Sequence, residues 1–312
     1  MKNKLYSIII PHYNCITGLK SLLNSIPDRE DIEIIVVDDN SDISLQYEMF
    51  DMFSHSHCNL IVNDNKGRGA GTCRNIALNI ASGRYVVFAD SDDYFTENAF
   101  EIIDDAIIKH TECDVFLFKP TSVCSLSLEL SDRHNLYCDI IDNYNANKDV
   151  NELYNYVVPW SKVIRRDLLV SNDIKFDQVI ASNDVMFSMK VTFHSKSNVA
   201  LNDIIYCVTR RPGSLTVNKS REVTAARFKV ERNRIKFIKE NNLDVDTNAF
   251  IRIIKNYRSI GFLYVLKYGT KLLIKGHISF IPKSYLRLVL NPRILIKKIL
   301  SPNSINNSKY RV

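Results

Sequence analysis

Two short acidic runs carry the strongest chemical signal in this 312-residue chain. Asp90-Ser91-Asp92-Asp93 directly follows the apolar run YVVFA and precedes a helical pattern that begins near Thr96. Three carboxylates within four residues repel one another by roughly 4 kcal/mol per close pair at an effective dielectric of 20. A bound divalent cation removes that conflict. Hard oxygen ligands favour Mg2+ or Mn2+, which keep waters and bridge to substrate phosphates, so a ligand carrying a pyrophosphate is the natural partner. The competing explanation is a solvated turn that caps the next helix.

Asp38-Asp39-Asn40-Ser41-Asp42 is the second run, again directly after apolar residues, IIVV. Both runs therefore leave the same edge of one sheet, where ligands gather in open α/β folds. A carboxylate there can accept hydrogen bonds from a base or a ribose without any metal, whereas an Asx turn would use only one or two of these side chains. A third segment, NKGRGAGTCRN from Asn65 to Asn75, combines glycines that permit close backbone approach to phosphate with the cations Lys66, Arg68 and Arg74. A dinucleotide-binding turn would place such glycines in the first strand-to-helix connection, where this chain has PHYNCITG instead. A Rossmann dehydrogenase is disfavoured accordingly.

The elements that must position these residues follow from the pattern. Between Leu5 and about Phe118, runs rich in Ile and Val alternate with segments of helical period, which predicts βαβ units and a mostly parallel sheet. Ile34 to Val37 shows no polar alternation, as expected of central strands covered on both faces. Residues 119–151 are rich in Ser, Asn and Asp and read as a loop-rich insertion. A helix is expected from Asp184 to about His194 and a strand over Val199 to Val208. Phe250, Ile253, Ile254, Tyr257, Ile260 and Tyr264 recur at helical spacing, and a similar pattern follows Pro292.

Taken together, SIIIPHYN, VVDDNSD, NKGRGAGTCRN and FADSDD, in this order and spacing, resemble the family 2 glycosyltransferases. The resemblance extends more loosely through PWSKVIRRDLL, ASNDVMFSMK and YCVTRRPGSLT to about residue 217. It implies a GT-A fold and an inverting, metal-dependent transfer of a sugar from a nucleotide diphosphate donor, most often a UDP-sugar, to a hydroxyl acceptor. Carried over by position, Pro11, Tyr13 and Asp39 would line the pocket for the base, with Lys66, Arg74, Asp90, Ser91 and Arg211 on the rest of the donor. Asp92, with Asp90, would hold Mn2+ or Mg2+, and Asp93 would lie toward the sugar or acceptor. Asp184 matches the family's catalytic base. Asn183 stands where relatives usually carry Glu, which alters whatever acceptor contact that carboxylate makes. Trp160, the sole tryptophan, is expected either to stack on a sugar ring or to pack in the core. His12 lies within the donor motif and is expected only to pack; His55 and His57 form no metal spacing.

The net charge of +6 conceals an asymmetry. Residues 251–312 hold thirteen of the 41 Lys and Arg and no acid, which leaves 28 cations against all 35 acids in the remainder. Cations interleaved with Ile, Leu, Phe and Tyr suit a surface helix on anionic lipid, at about 1 kcal/mol per cation near such a membrane. A helical subdomain packed on the core is the plainer alternative. Nucleic-acid binding ranks well below membrane contact, because the cations are spread through apolar periodicity and not clustered beside a recognition motif. Seven scattered cysteines without a CxxC pair read as reduced thiols, and the apolar stretch at the N-terminus is too short for a signal-peptide core. No run approaches the roughly 18 apolar residues of a spanning helix. The expectation is a catalytic domain over residues 1–218 and a helical, basic region over 219–312, held on the cytoplasmic face of the membrane near a glycan or lipid-linked acceptor in surface-polysaccharide synthesis. A non-catalytic scaffold of the same fold is the competing class, with a sugar-1-phosphate nucleotidyltransferase disfavoured by the first loop.

Overall fold

The computed structural model describes residues 4–54, 58–64, 67–125, 127–211 and 220–245. The chain forms two compact units, Met1–Pro212 and Gly213–Val312. In the first, the order is β1 (Tyr6–His12), α1 (Ile16–Asn24), β2 (Ile32–Asp38), α2 (Ile43–Phe53), β3 (Cys58–Val62), α3 (Ala70–Ile80) and β4 (Tyr85–Phe88). It continues with β5 (Tyr94–Phe95), α4 (Ala99–Lys109), β6 (Val115–Cys124), α5 (Asn135–Asn147), a 3-10 turn over Val150–Asn155, β7 (Lys162–Arg165), α6 (Arg166–Ser171), α7 (Asp184–His194) and β8 (Asn198–Arg210).

The eight strands make one sheet, ordered β3-β2-β1-β4-β7-β6-β8-β5, flanked by helices. Strands β3, β2, β1 and β4 are parallel, β7 is antiparallel to both β4 and β6, and β8 returns parallel to β6. This is the mostly parallel α/β arrangement expected. Chain order reverses between β1 and β4, since β2 and β3 add on one side of β1 and β4 on the other. Such a switch point opens a crevice outside the carboxyl ends of the strands. All seven residues of β1 are buried, and Ile8, Ile10, Ile35 and Val36 are fully enclosed. Each such side chain contributes about 1.5–3 kcal/mol through its removal from water.

The aromatic core fixes the far side of the crevice. Phe176 stacks on Phe187 of α7 at 3.8 Å between ring centroids, and both meet the edge of Phe88 of β4. Helix α7 is thereby locked against the strand that leads into Asp90. Pro120 within β6 cannot donate to the ladder, and the register with β8 shifts on either side of Lys119.

Residues 119–151 differ from the loop-rich expectation. They contain the end of β6 and the 13-residue helix α5, which buries Tyr137, Ile140 and Ile141. Its Asn and Asp residues obscured the apolar spacing. The expected helix near Thr96 begins at Ala99, after Tyr94–Phe95 has paired antiparallel with β8.

In the second unit, α8 (Arg221–Glu240) starts at Ser220, whose hydroxyl accepts a hydrogen bond from the Val223 amide at 3.3 Å. No helix among the described residues is long and apolar enough to cross a membrane. The helical patterns at 250–264 and after Pro292 lie outside the described residues, as does Lys66.

Candidate active site at the carboxyl edge of the sheet

The ends of β1, β2 and β4 bring the first residues together. His12 closes β1 and is buried; its Nδ1 lies 2.9 Å from Asp38 Oδ1, and its Nε2 accepts from the Cys15 amide at 3.1 Å. That second contact leaves Nδ1 carrying the proton it gives to Asp38. Burial opposes the charge on Asp38, but hydrogen bonds from His12 and Ser41 outweigh it and hold the carboxyl below the ordinary range. Asp38 is therefore a structural anion that ties the β1 and β2 ends.

Asp39 points the other way. Its Oδ1 accepts from Asn63 Nδ2 at 2.8 Å and its Oδ2 from the Gly69 amide at 2.7 Å, while its own amide donates to the His12 carbonyl at 2.8 Å. Gly69 has φ +94°, a backbone conformation that favours glycine, so the turn that delivers this amide depends on it. Pro11 is buried beside Val37, and Tyr13 stands 59% exposed at the rim.

Arg74 joins the two halves of the site. Nearly buried on α3, it donates through Nη1 to Asn183 Oδ1 at 2.9 Å and through Nη2 to Asp90 Oδ1, with its guanidinium over the Phe176 ring at 5.1 Å. Gly71, one turn earlier, permits this: a Cβ there would lie 2.6 Å from the Asp177 carbonyl and 2.9 Å from Asn183 Cβ. Asp184 is the first residue of α7, next to Asn183. Burial raises its pKa, as does Asp90, while Arg74 and Lys162 oppose the rise.

The Asp90–Asp93 loop is held from three sides. Gly18 on α1 lies directly against it, where a Cβ would meet the Ser91 carbonyl at 2.5 Å and Asp92 Cα at 3.0 Å. Arg211 Nε pairs with Asp92 Oδ2 at 2.9 Å. Burial first, and then the charge of Asp90, raise the Asp92 pKa against the pull of Arg211. From below, the Tyr206 hydroxyl accepts from the Asp90 amide at 2.8 Å and donates to Asp93 Oδ2 at 3.1 Å.

Two expectations are corrected here. Asp93 is only 3% exposed and also accepts from the Thr209 amide at 2.7 Å, so it braces the loop from inside and does not face a sugar. Burial, then Asp90 and Asp92, push its pKa well up. Trp160 is 2% exposed, stacked on Tyr206 at 6.0 Å and edged by Tyr137 at 4.8 Å, leaving no face for a ligand. Tyr206, Gly18 and Lys162 were missed. Lys162, on β7, is 1% exposed, and a lysine within an apolar strand was the one available signal. No three His, Cys, Asp or Glu side chains converge on a common point among the described residues.

Residues 7–170 match Glycosyl transferase family 2, and with GT-A architecture the chain belongs to that family. It is 30% identical over 218 residues to the poly(ribitol-phosphate) beta-N-acetylglucosaminyltransferase TarS of Staphylococcus aureus, covering 67% of this chain and 36% of that protein. The match thus spans about a third of that relative's length. It is 33% identical over 112 residues to the Escherichia coli UDP-Glc:alpha-D-GlcNAc-diphosphoundecaprenol beta-1,3-glucosyltransferase WfgD, covering 35% of this chain and 44% of that one. Among solved structures, the UDP complex of S. aureus TarS 1-349 superposes with a TM-score of 0.50 at 28% identity, covering 71% of this chain and 65% of that chain.

Proposed function

We propose that this chain transfers a sugar from a UDP-sugar to a hydroxyl of a glycan or lipid-linked acceptor in bacterial surface-polysaccharide synthesis, with inversion at the anomeric carbon. The observation that carries this is the bridge made by Arg74, which ties Asp90 at the donor end to Asn183, the neighbour of Asp184, at the other. A single guanidinium would thus help set the spacing between donor and base. The UDP complex of the TarS relative and the activities for which both relatives are named support the donor class and the two acceptor classes.

Pro11, Tyr13 and Asp39 would bind the base end of the donor, and Lys66, Arg74, Asp90, Ser91 and Arg211 the rest of it. Asp90 and Asp92 are close enough that the charge of one raises the pKa of the other, and both offer hard oxygens, so the pair fits Mg2+ or Mn2+. Asp92, with Asp90, would hold the ion, whose charge offsets that growing on the leaving diphosphate. Asp184 takes the proton of the acceptor hydroxyl as its oxygen attacks the anomeric carbon, and the bond to the diphosphate breaks on the opposite face. One displacement of this kind inverts the centre. Asn183 would contact the acceptor or sugar beside it.

The thirteen cations of residues 251–312 support attachment to an anionic membrane surface on the cytoplasmic side, with no role for nucleic acid. Recovery of the full chain in the soluble cell fraction alone would overturn that part. The transferase assignment is tested by calorimetric titration with a panel of nucleoside diphosphates, with and without Mn2+, on the native chain and Asp92→Ala. Metal-dependent binding of UDP that the substitution abolishes is expected; no binding under any condition would favour a scaffold.

A further inference from the structure

Lys162, 1% exposed on β7, is a buried cation whose purpose the donor site does not explain. Its Nζ donates to the Tyr156 carbonyl at 2.6 Å and lies over the Tyr156 ring at 4.8 Å. The Tyr156 hydroxyl in turn donates to the Phe118 carbonyl at 3.0 Å, as does Ser161 Oγ at 3.0 Å. The segment from Tyr156 to Ser161 is thus gripped from the β6–β7 side of the sheet. From the opposite side it is gripped by α7, where Ser188, one turn beyond Asp184, donates to the Val157 carbonyl at 3.0 Å and lies 3.3 Å from that of Val158. An ammonium with a four-carbon stem is an expensive way to hold a carbonyl, because burying a charge is costly unless an opposite charge answers it. Asp184 opens the helix whose Ser188 holds the same segment, and its charge and that of Lys162 act on one another.

We propose that Lys162 is the positioning residue for Asp184, holding the segment on which the start of α7 rests and supplying the buried counter-charge to its carboxylate. The proposal rests on Asp184 being the base, but its test does not depend on transfer activity. Other groups acting on Asp184 are Arg74 from α3, Asp90 at the end of β4 and Tyr137 from α5. Burial moves Lys162 down to about 7 against the opposing charge of Asp184, while burial, joined by Asp90, raises the Asp184 carboxyl.

The experiment is carboxyl and ammonium NMR titration of the full chain labelled at Asp and Lys side chains, with Asp184→Asn and Lys162→Met used to assign the two signals. In Lys162→Met the Asp184 carboxyl should bind its proton about tenfold more tightly, while UDP binding by calorimetry stays within twofold of native. In Asp184→Asn the Lys162 ammonium should lose its proton about tenfold more readily, because coupling between two sites is reciprocal. The reciprocal measurement stands even where Lys162→Met fails to fold. Unchanged titration of the partner in either folded variant overturns the proposal. Full transfer activity in Asp184→Asn would overturn the base assignment instead, and leaves the titration result to be read separately.

Discussion

Arg74 and Asp90 form an ion pair between α3 and the end of β4, with the Arg74 side chain 5% exposed and that of Asp90 29%. The pair is planar chemistry: one N–H of the guanidinium serves Asp90, another serves Asn183, and a face lies over the ring of Phe176. Lysine carries the same charge but cannot divide it between two fixed acceptors.

Arg74→Lys is therefore expected to weaken UDP binding by tenfold or more, and Arg74→Met to destabilise the fold by about 3–5 kcal/mol by leaving Asp90 and Asn183 without their donor. Calorimetry and denaturant melts check the two arms. Equal UDP affinity in Arg74→Lys would show that charge alone matters there.

Asp184 acts as a base only when ionised. Burial, joined by Asp90, raises its pKa above the ordinary value of about 3.9, so the transfer rate should fall as pH drops through a midpoint above that value. Asp184→Asn should cost about 10²–10⁴-fold in kcat with little change in donor KM. Steady-state rates across pH, with the UDP released as readout, check both.

Gly18→Ala should damage the site without unfolding the chain. The added Cβ would fall 2.5 Å from the Ser91 carbonyl and 3.0 Å from Asp92 Cα, both backbone atoms, so the acidic loop must move. Overpacking of this kind costs about 1–3 kcal/mol. Metal-dependent nucleotide binding should weaken by more than the loss of stability would suggest, as measured by titration alongside thermal melts.

Asp38 governs part of the acid stability. Its folded pKa lies below its unfolded one because His12 and Ser41 outweigh burial, so its contribution is fully present above about pH 3.9 and is lost as pH falls through the lower folded value. Asp38→Asn should flatten the stability curve in that acid window. Asp92, Asp93 and Asp184 act with the opposite sign: their raised values mean their ionisation at neutral pH costs stability, and acidification first relieves that cost.

Much of this was legible in the sequence. Apolar runs ending in acids, VVDD and FADSDD, placed two carboxylate clusters on one sheet edge because strand ends and side-chain type are local properties. Asp184 was likewise readable as a helix-opening acid. What failed depended on neighbours across the sheet. Trp160 and Asp93 looked available for a sugar, yet Tyr206, more than forty residues from Trp160 and more than a hundred from Asp93, takes both, one by ring stacking and the other by its hydroxyl. Lys162 sits in SKVIRR near two surface-type arginines, and its place in an apolar strand hints at burial without saying which groups it meets there. Helix α5 was hidden by its own polar residues, since Asp139, Asp142 and Asn143 take the exposed positions beside the buried Tyr137, Ile140 and Ile141.

The stack of Trp160 on Tyr206 makes the chain its own spectroscopic reporter. There is one indole, it is shielded from water, and the phenol against it holds the Asp90 amide. Any ligand that shifts the acidic loop must disturb that phenol and so the emission of the only tryptophan. Occupancy of the site can be followed by intrinsic fluorescence, in unlabelled protein, before any sugar donor or acceptor is known.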